Sequence, residues 1–294
     1  MEGGEYMNSD MDTKNIDLDK TLSITMELER PLFIDKIEEE TKTNEKTKKT
    51  KKTKKTLLTC LYSFIIIMII SFGTWVATPY KSSSVANTAL ISDDNVEVNI
   101  GDFISFTPKH TEATKGLILY PGAKVDAKAY APLAKGVAKE GYEVIIVDMP
   151  LNFAMLGTNK AEKVIKEYPH IQSWTIGGHS LGGVAASKFT IDNPQIDGLI
   201  LLASYPMGDE LKNLGVDVLS IWGSKDGVLN FENLIASKMK LPIDTKYVEI
   251  EGGNHAQFGD YGQQKGDHDA IISAEKQLQI TEDSITDFLK NIQQ

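Results

Sequence analysis

Six short segments, most of them runs of Val, Ile and Leu, and bounded by turn residues, limit what this chain can fold into. They lie at residues 116–120, 143–147, 173–176, 198–202, 216–222 and 247–250. An apolar run without alternation is the pattern of a strand buried on both faces. Between the runs lie segments with helical spacing at 127–139, 159–167, 182–190 and 231–239, and residues 270–292 supply one or two terminal helices. The first of these places Tyr130, Leu133, Ala134 and Val137 on one face. Alternation of strand and helix predicts an α/β fold with a doubly wound, mainly parallel sheet. Residues 96–106 read as a strand pair with Gly101-Asp102 at its turn.

In such a sheet, ligands bind beyond the carboxyl ends of the strands. Three loops there carry candidate chemistry. Gly178, Ser180 and Gly182 form Gly-x-Ser-x-Gly between a strand and a helix of small residues. Glycines flanking the serine remove side chains that would collide in a tight turn, and the Leu181 N–H then faces the site from a helix N-terminus. Gly223-Ser224-Lys225-Asp226-Gly227 follows the fifth run, and Asp226 can orient an imidazole. Asp209 and Asp260 are rival carboxylates. Gly252-Gly253-Asn254-His255 follows the sixth run, and His255 suits proton transfer near neutrality. His268 is its rival, while His179, beside the serine, cannot readily face it.

The chain order Ser180, Asp226, His255 resembles that of the α/β-hydrolase superfamily. Leu119-Tyr120-Pro121-Gly122-Ala123, Gly178-His179-Ser180-Leu181-Gly182-Gly183, Gly223-Ser224-Lys225-Asp226-Gly227 and Gly253-Asn254-His255 carry the likeness, over about residues 96–294. Gly253-Asn254-His255-Ala256-Gln257-Phe258-Gly259 is similar to small, capless dienelactone-hydrolase-like and carboxylesterase-like enzymes. The stretch 203–215 leaves no room for a large cap. Dienelactone hydrolases proper carry Cys at the elbow, so Ser180 points to ester chemistry. The resemblance implies a second oxyanion donor in the loop after 117–120, with Ala123 the first choice and Gly122 the second. It implies hydrolysis of small-molecule or polymer-attached carboxylic esters through an acyl-enzyme, without a metal or organic cofactor. The same machinery serves thioesterases and amidases. A catalytically silent binding module at the cell surface is the alternative from another class. Tyr130, Met149, Pro150, Phe153, Met155, Tyr205 and Met207 are candidates for the pocket wall, and Gln257, Phe258 and Tyr261 for its entrance.

The remaining segments set the location. Residues 57–77 are 21 without a charge. As a helix they span about 31 Å, the thickness of a bilayer core. Residues 41–56, just upstream, hold eight lysines and one glutamate. Positive charge stays on the cytoplasmic side. The expectation is an uncleaved anchor at 57–78, a disordered cytosolic tail at 1–56, a linker at 79–95 and an extracytoplasmic hydrolase domain at 96–294. The chain's net charge of -10 argues against nucleic acid as a partner. A single cysteine excludes an intrachain disulfide and a Cys-based zinc site.

Overall fold

The computed structural model describes residues 18–292, with side chains from residue 36 onward. The chain divides into two units between Ser71 and Phe72. Helix α1, Leu18–Val76, contains the uncharged stretch. From residue 36 to residue 75 every position is exposed. Among the described residues this is the one helix long and apolar enough to cross a membrane.

The first 17 residues of the expected disordered tail lie outside the described residues. So do the side chains of a modest apolar island at 22–34. From Leu18 to residue 56 the backbone is helical, where the sequence reading expects disorder. Low aromatic content argues against a packed core. It does not argue against a solvated helix that continues from an apolar nucleus, because adding a residue costs far less than starting a helix. Lysine and glutamate are good helix formers. The Lys-Lys-Thr repeat adds local bonds: the hydroxyls of Thr47, Thr50, Thr53 and Thr56 each donate to the carbonyl four residues earlier.

The second unit is built on an eight-stranded sheet. Its strands are β1 (Val96–Ile100), β2 (Ile104–Pro108), β3 (Lys115–Tyr120), β4 (Glu143–Ile146), β5 (Ser173–His179), β6 (Ile196–Leu202), β7 (Asp217–Gly223) and β8 (Lys246–Ile250). They are ordered β1-β2-β4-β3-β5-β6-β7-β8. β1, β2 and β4 pair antiparallel, and every pair from β4 to β8 is parallel. The six apolar runs and the strand pair thus all become strands.

Successive strand residues face opposite layers. Leu117 and Leu119 join one buried cluster with helix α3 (Ala131–Lys139) and helix α7 (Ala274–Asn291). Ile118 and Tyr120 join the other, with helix α4 (Ala161–Glu167) and helix α5 (Leu181–Asp192). Fully burying an Ile or Leu here contributes about 1.5–3 kcal/mol. Strand order reverses between β3 and β5, so a crevice opens at their carboxyl ends. The loop after β3 and the Ser180 elbow flank that crevice.

The linker expected at 79–95 is packed structure. Tyr80 forms a parallel bridge with Val125. Helix α2 (Ser84–Ala89) follows, capped by Ser83. Asp260 accepts from the Ala86 N–H at 2.7 Å and from the Ser83 hydroxyl. Its Ser, Ala and Asn content suggested a solvated tether. The same small residues let the segment lie flat on the hydrolase unit.

Candidate active site

β5 runs through Gly177 and Gly178 to His179, three residues beyond its apolar run, and α5 starts at Leu181. Ser180 joins them with φ 52° and ψ -122°. A non-glycine residue in that region costs on the order of 1–3 kcal/mol, so the surroundings must hold it. They do so through its backbone. The Ser180 N–H donates to Leu202 O at 2.9 Å, and its carbonyl accepts from the Ser204 hydroxyl at 2.7 Å. A Cβ on Gly182 would overlap the carbonyl oxygens of Tyr120 and Pro121, and one on Gly178 would strike the backbone of Gly182. The two flanking glycines of the motif are therefore required by close approach.

Asp226 and His255 meet. His255 Nδ1 lies 2.7 Å from Asp226 Oδ2, and both residues are buried. Asp226 Oδ1 has a separate task, accepting the N–H groups of Val228 and Leu229 at 2.8 and 2.7 Å. His255 Nε2 is buried and has no hydrogen-bond partner among the described residues. The ring is thus oriented at one nitrogen and open at the other, the state a proton acceptor requires. Ser180 Oγ makes no hydrogen bond to it among the described residues. The rivals are committed elsewhere: Asp260 caps α2, and Asp209 and His268 are exposed.

Of the three oxyanion candidates, the N–H groups of Leu181 and Ala123 have no hydrogen-bond acceptor among the described residues. Gly122 does not qualify. Its N–H donates to Tyr130 Oη at 2.9 Å. Tyr130 Oη in turn lies 2.7 Å from His179 Nδ1. Since the hydroxyl accepts from Gly122, it satisfies the pair by donating to His179. Burial pushes the Tyr130 hydroxyl up, so it stays protonated and able to donate. Burial, reinforced by His255, holds His179 well below its ordinary value, so that ring is neutral. The His179 and His255 ring centroids are 4.5 Å apart. Tyr130 is therefore a buried support of the loop after β3, not an exposed pocket wall.

Sequence reasoning missed Asp267. Its Oδ1 accepts from the N–H groups of Gly227 at 2.9 Å and His255 at 3.3 Å, and its Oδ2 from Ala256 at 2.8 Å. One carboxylate therefore ties the loop after β7 to the loop after β8. Lys225 N–H to Gly253 O, at 2.8 Å, is a second tie. Gln277, buried on α7, brackets Asn254 by accepting from its N–H at 2.9 Å and donating to its carbonyl at 2.8 Å. These partners are backbone groups, which leave no trace in the order of side chains. Asp267→Ala is expected to cost about 2–3 kcal/mol, as charge-assisted bonds do. That corresponds to a fall in Tm of roughly 5–10 °C, with slower turnover. An unchanged Tm in a calorimetric scan would show that the loops hold without this clamp.

No group of side chains among the described residues could hold a metal ion. The chemistry this arrangement can perform is proton transfer at His255 Nε2 near the half-buried elbow serine, with N–H donors ready for developing negative charge.

Residues 116–279, more than half of the chain, match the alpha/beta hydrolase family. No curated protein matches the chain in sequence. Solved structures share its fold at low identity. A predicted CIB-like hydrolase from Thermoplasma acidophilum is 17% identical, with 65% of this chain and 98% of that one covered and a TM-score of 0.51. Est1E from Butyrivibrio proteoclasticus, solved with ferulic acid bound, is 14% identical over 68% of this chain and 99% of its own, also at 0.51. A thermostable esterase from Pseudomonas putida is 14% identical over 72% and 88%, again at 0.51.

Proposed function

The chain belongs to the alpha/beta hydrolase family, and we propose that within it the protein is a membrane-anchored serine esterase. The observation that carries this reading is the buried bond between His255 Nδ1 and Asp226 Oδ2, beside an elbow serine, with His255 Nε2 left open. Ser180 is the nucleophile. His255 takes its proton as Oγ attacks the ester carbonyl, and Asp226 stabilises the imidazolium. The oxyanion is held by the Leu181 and Ala123 N–H groups; losing one such donor typically costs about 3 kcal/mol of transition-state stabilisation. His255 then protonates the departing alcohol. Water, deprotonated by His255, releases the acyl group from Ser180.

The uncharged stretch at 57–77 serves as the anchor. Lysines just before it keep the N-terminal side cytoplasmic, which places the hydrolase unit outside. No charged side chain among the described residues interrupts that stretch.

A fluorophosphonate probe applied to the full chain in membranes tests the assignment, with the labelled peptide mapped by mass spectrometry. Label on Ser180 is expected, because only an activated serine attacks such a probe. A folded protein that takes no label would shift the reading to a silent binding module.

A further inference from the structure

The loop that carries Ala123 is held from two sides. On one side is the segment that leaves α1. Tyr80 N–H donates to Lys124 O at 2.7 Å, and Asp126 N–H donates to Tyr80 O at 2.9 Å. Lys124 Nζ donates to Thr78 Oγ1 at 3.1 Å and stands 5.1 Å from the Trp75 ring centroid. On the other side is the loop after β4. Lys124 N–H donates to Asn152 O at 2.8 Å, and Phe153 packs edge-on against Trp75 at 6.0 Å.

That second loop presents apolar side chains to the outside. Leu151 is 52% exposed and Leu156 55% exposed. Leu151 and Asn152 are both left-handed, with φ 56° and 52°. Two consecutive non-glycine residues in that conformation are costly, and here they hold a leucine out of the core. Phe153, between the two leucines in sequence, packs on Trp75, which is itself 38% exposed. Tryptophan concentrates at membrane–water interfaces. From Ala77, the last residue of the uncharged stretch, to Tyr80 is three residues, at most about 10 Å of chain.

We propose that the Trp75, Leu151 and Leu156 surface seats on the bilayer, and that the site takes its substrate from there. The substrate class is a carboxylic ester carried by a membrane-resident amphiphile. This inference rests on the anchored serine-esterase reading. With the oxyanion loop bonded to the interfacial end of the helix, the reacting carbonyl sits at headgroup depth. An ester at the polar end of a lipid already lies there, and its acyl chain can stay in the hydrocarbon. A soluble ester has no such advantage.

Two measurements on the full chain in phosphatidylcholine vesicles test this. In the first, Cys60→Ser removes the one native thiol, and Leu151→Cys takes a bimane label. Quenching by brominated phosphatidylcholine is expected at this site. It is not expected for the same label at Ile243→Cys, which is 97% exposed and lies just before the start of β8, at the opposite end of the parallel strands. Equal quenching at the two sites, or none at either, would overturn the docking surface.

In the second, L151D/L156D is compared with the unmodified chain on a short soluble ester and on a fluorogenic acyl lipid embedded in the vesicles. The expected result is a loss of roughly tenfold or more on the lipid, as charge expels the patch, and a change under about twofold on the soluble ester. Equal rates for both proteins on the lipid would overturn the substrate assignment. Label at Ser180 with no lipid cleavage would overturn it too, while leaving the esterase standing. Absence of label would remove the esterase reading and the substrate assignment, whereas bimane quenching would still establish the docked surface.

Discussion

Ser180→Ala is expected to lower ester turnover by on the order of 10⁵–10⁶ in kcat and to leave the fold intact. The separation follows from what the residue does with its atoms. Its backbone holds the elbow, through Leu202 O, the Ser204 hydroxyl and the N–H groups of Gly183 and Val184. Its hydroxyl makes no hydrogen bond among the described residues. Alanine meets the same backbone strain at φ 52° that serine already tolerates. The expected Tm is within about 2 °C of the parent, since substitutions that remove no bond stay near 0.5 kcal/mol. Turnover of a soluble ester and a thermal scan on the same sample check both halves. Parent-like activity would place the nucleophile elsewhere.

Asp226→Asn is expected to cost about 10⁴ in kcat, again with little change in fold. The argument turns on the two oxygens of the carboxylate. Oδ1 accepts two backbone N–H groups, from Val228 and Leu229. An asparagine there must turn its oxygen toward those donors and its NH₂ toward His255 Nδ1. That amide donates where the carboxylate accepted. The imidazole is forced into the tautomer with its proton on Nε2, which cannot take a proton from Ser180. Turnover falls while the local turn survives. A loss below tenfold would mean that His255 does not act as the base through this pair.

How far the sequence alone reaches can be judged residue by residue. Ile118, Ile145, Ile176 and Leu199 announce buried strands because both neighbours of each are also apolar or small, which leaves no face for water. Ser180, Asp226 and His255 are legible because each stands just after such a run, where a parallel sheet gathers its loops. Tyr130 is legible as core from its apolar helical face, but the bond its hydroxyl accepts is not, because Gly122 lies at the end of another strand. Asp267 sits in a charged loop that reads as solvated; its partners are amides, and any sequence supplies those. Tyr80 escapes for the same reason, since its bridge to Val125 is made of backbone. Upstream of residue 57, composition reports that the segment cannot build a core and says little about a solvated helix that needs none.

The bridge at Tyr80 also changes where the enzyme starts. A boundary drawn at Val96, where the first strand begins, would sever the catalytic unit from part of its own scaffold. It would leave the Lys124 carbonyl and the Asp126 N–H without their partners, and Asp260 without the Ser83 and Ala86 donors. The smallest self-sufficient fragment therefore opens before Tyr80, within four residues of the end of α1. The segment from Tyr80 onward is thus part of the hydrolase unit's own scaffold, and cutting it away would unpin the loop after β3 as surely as a substitution within that loop.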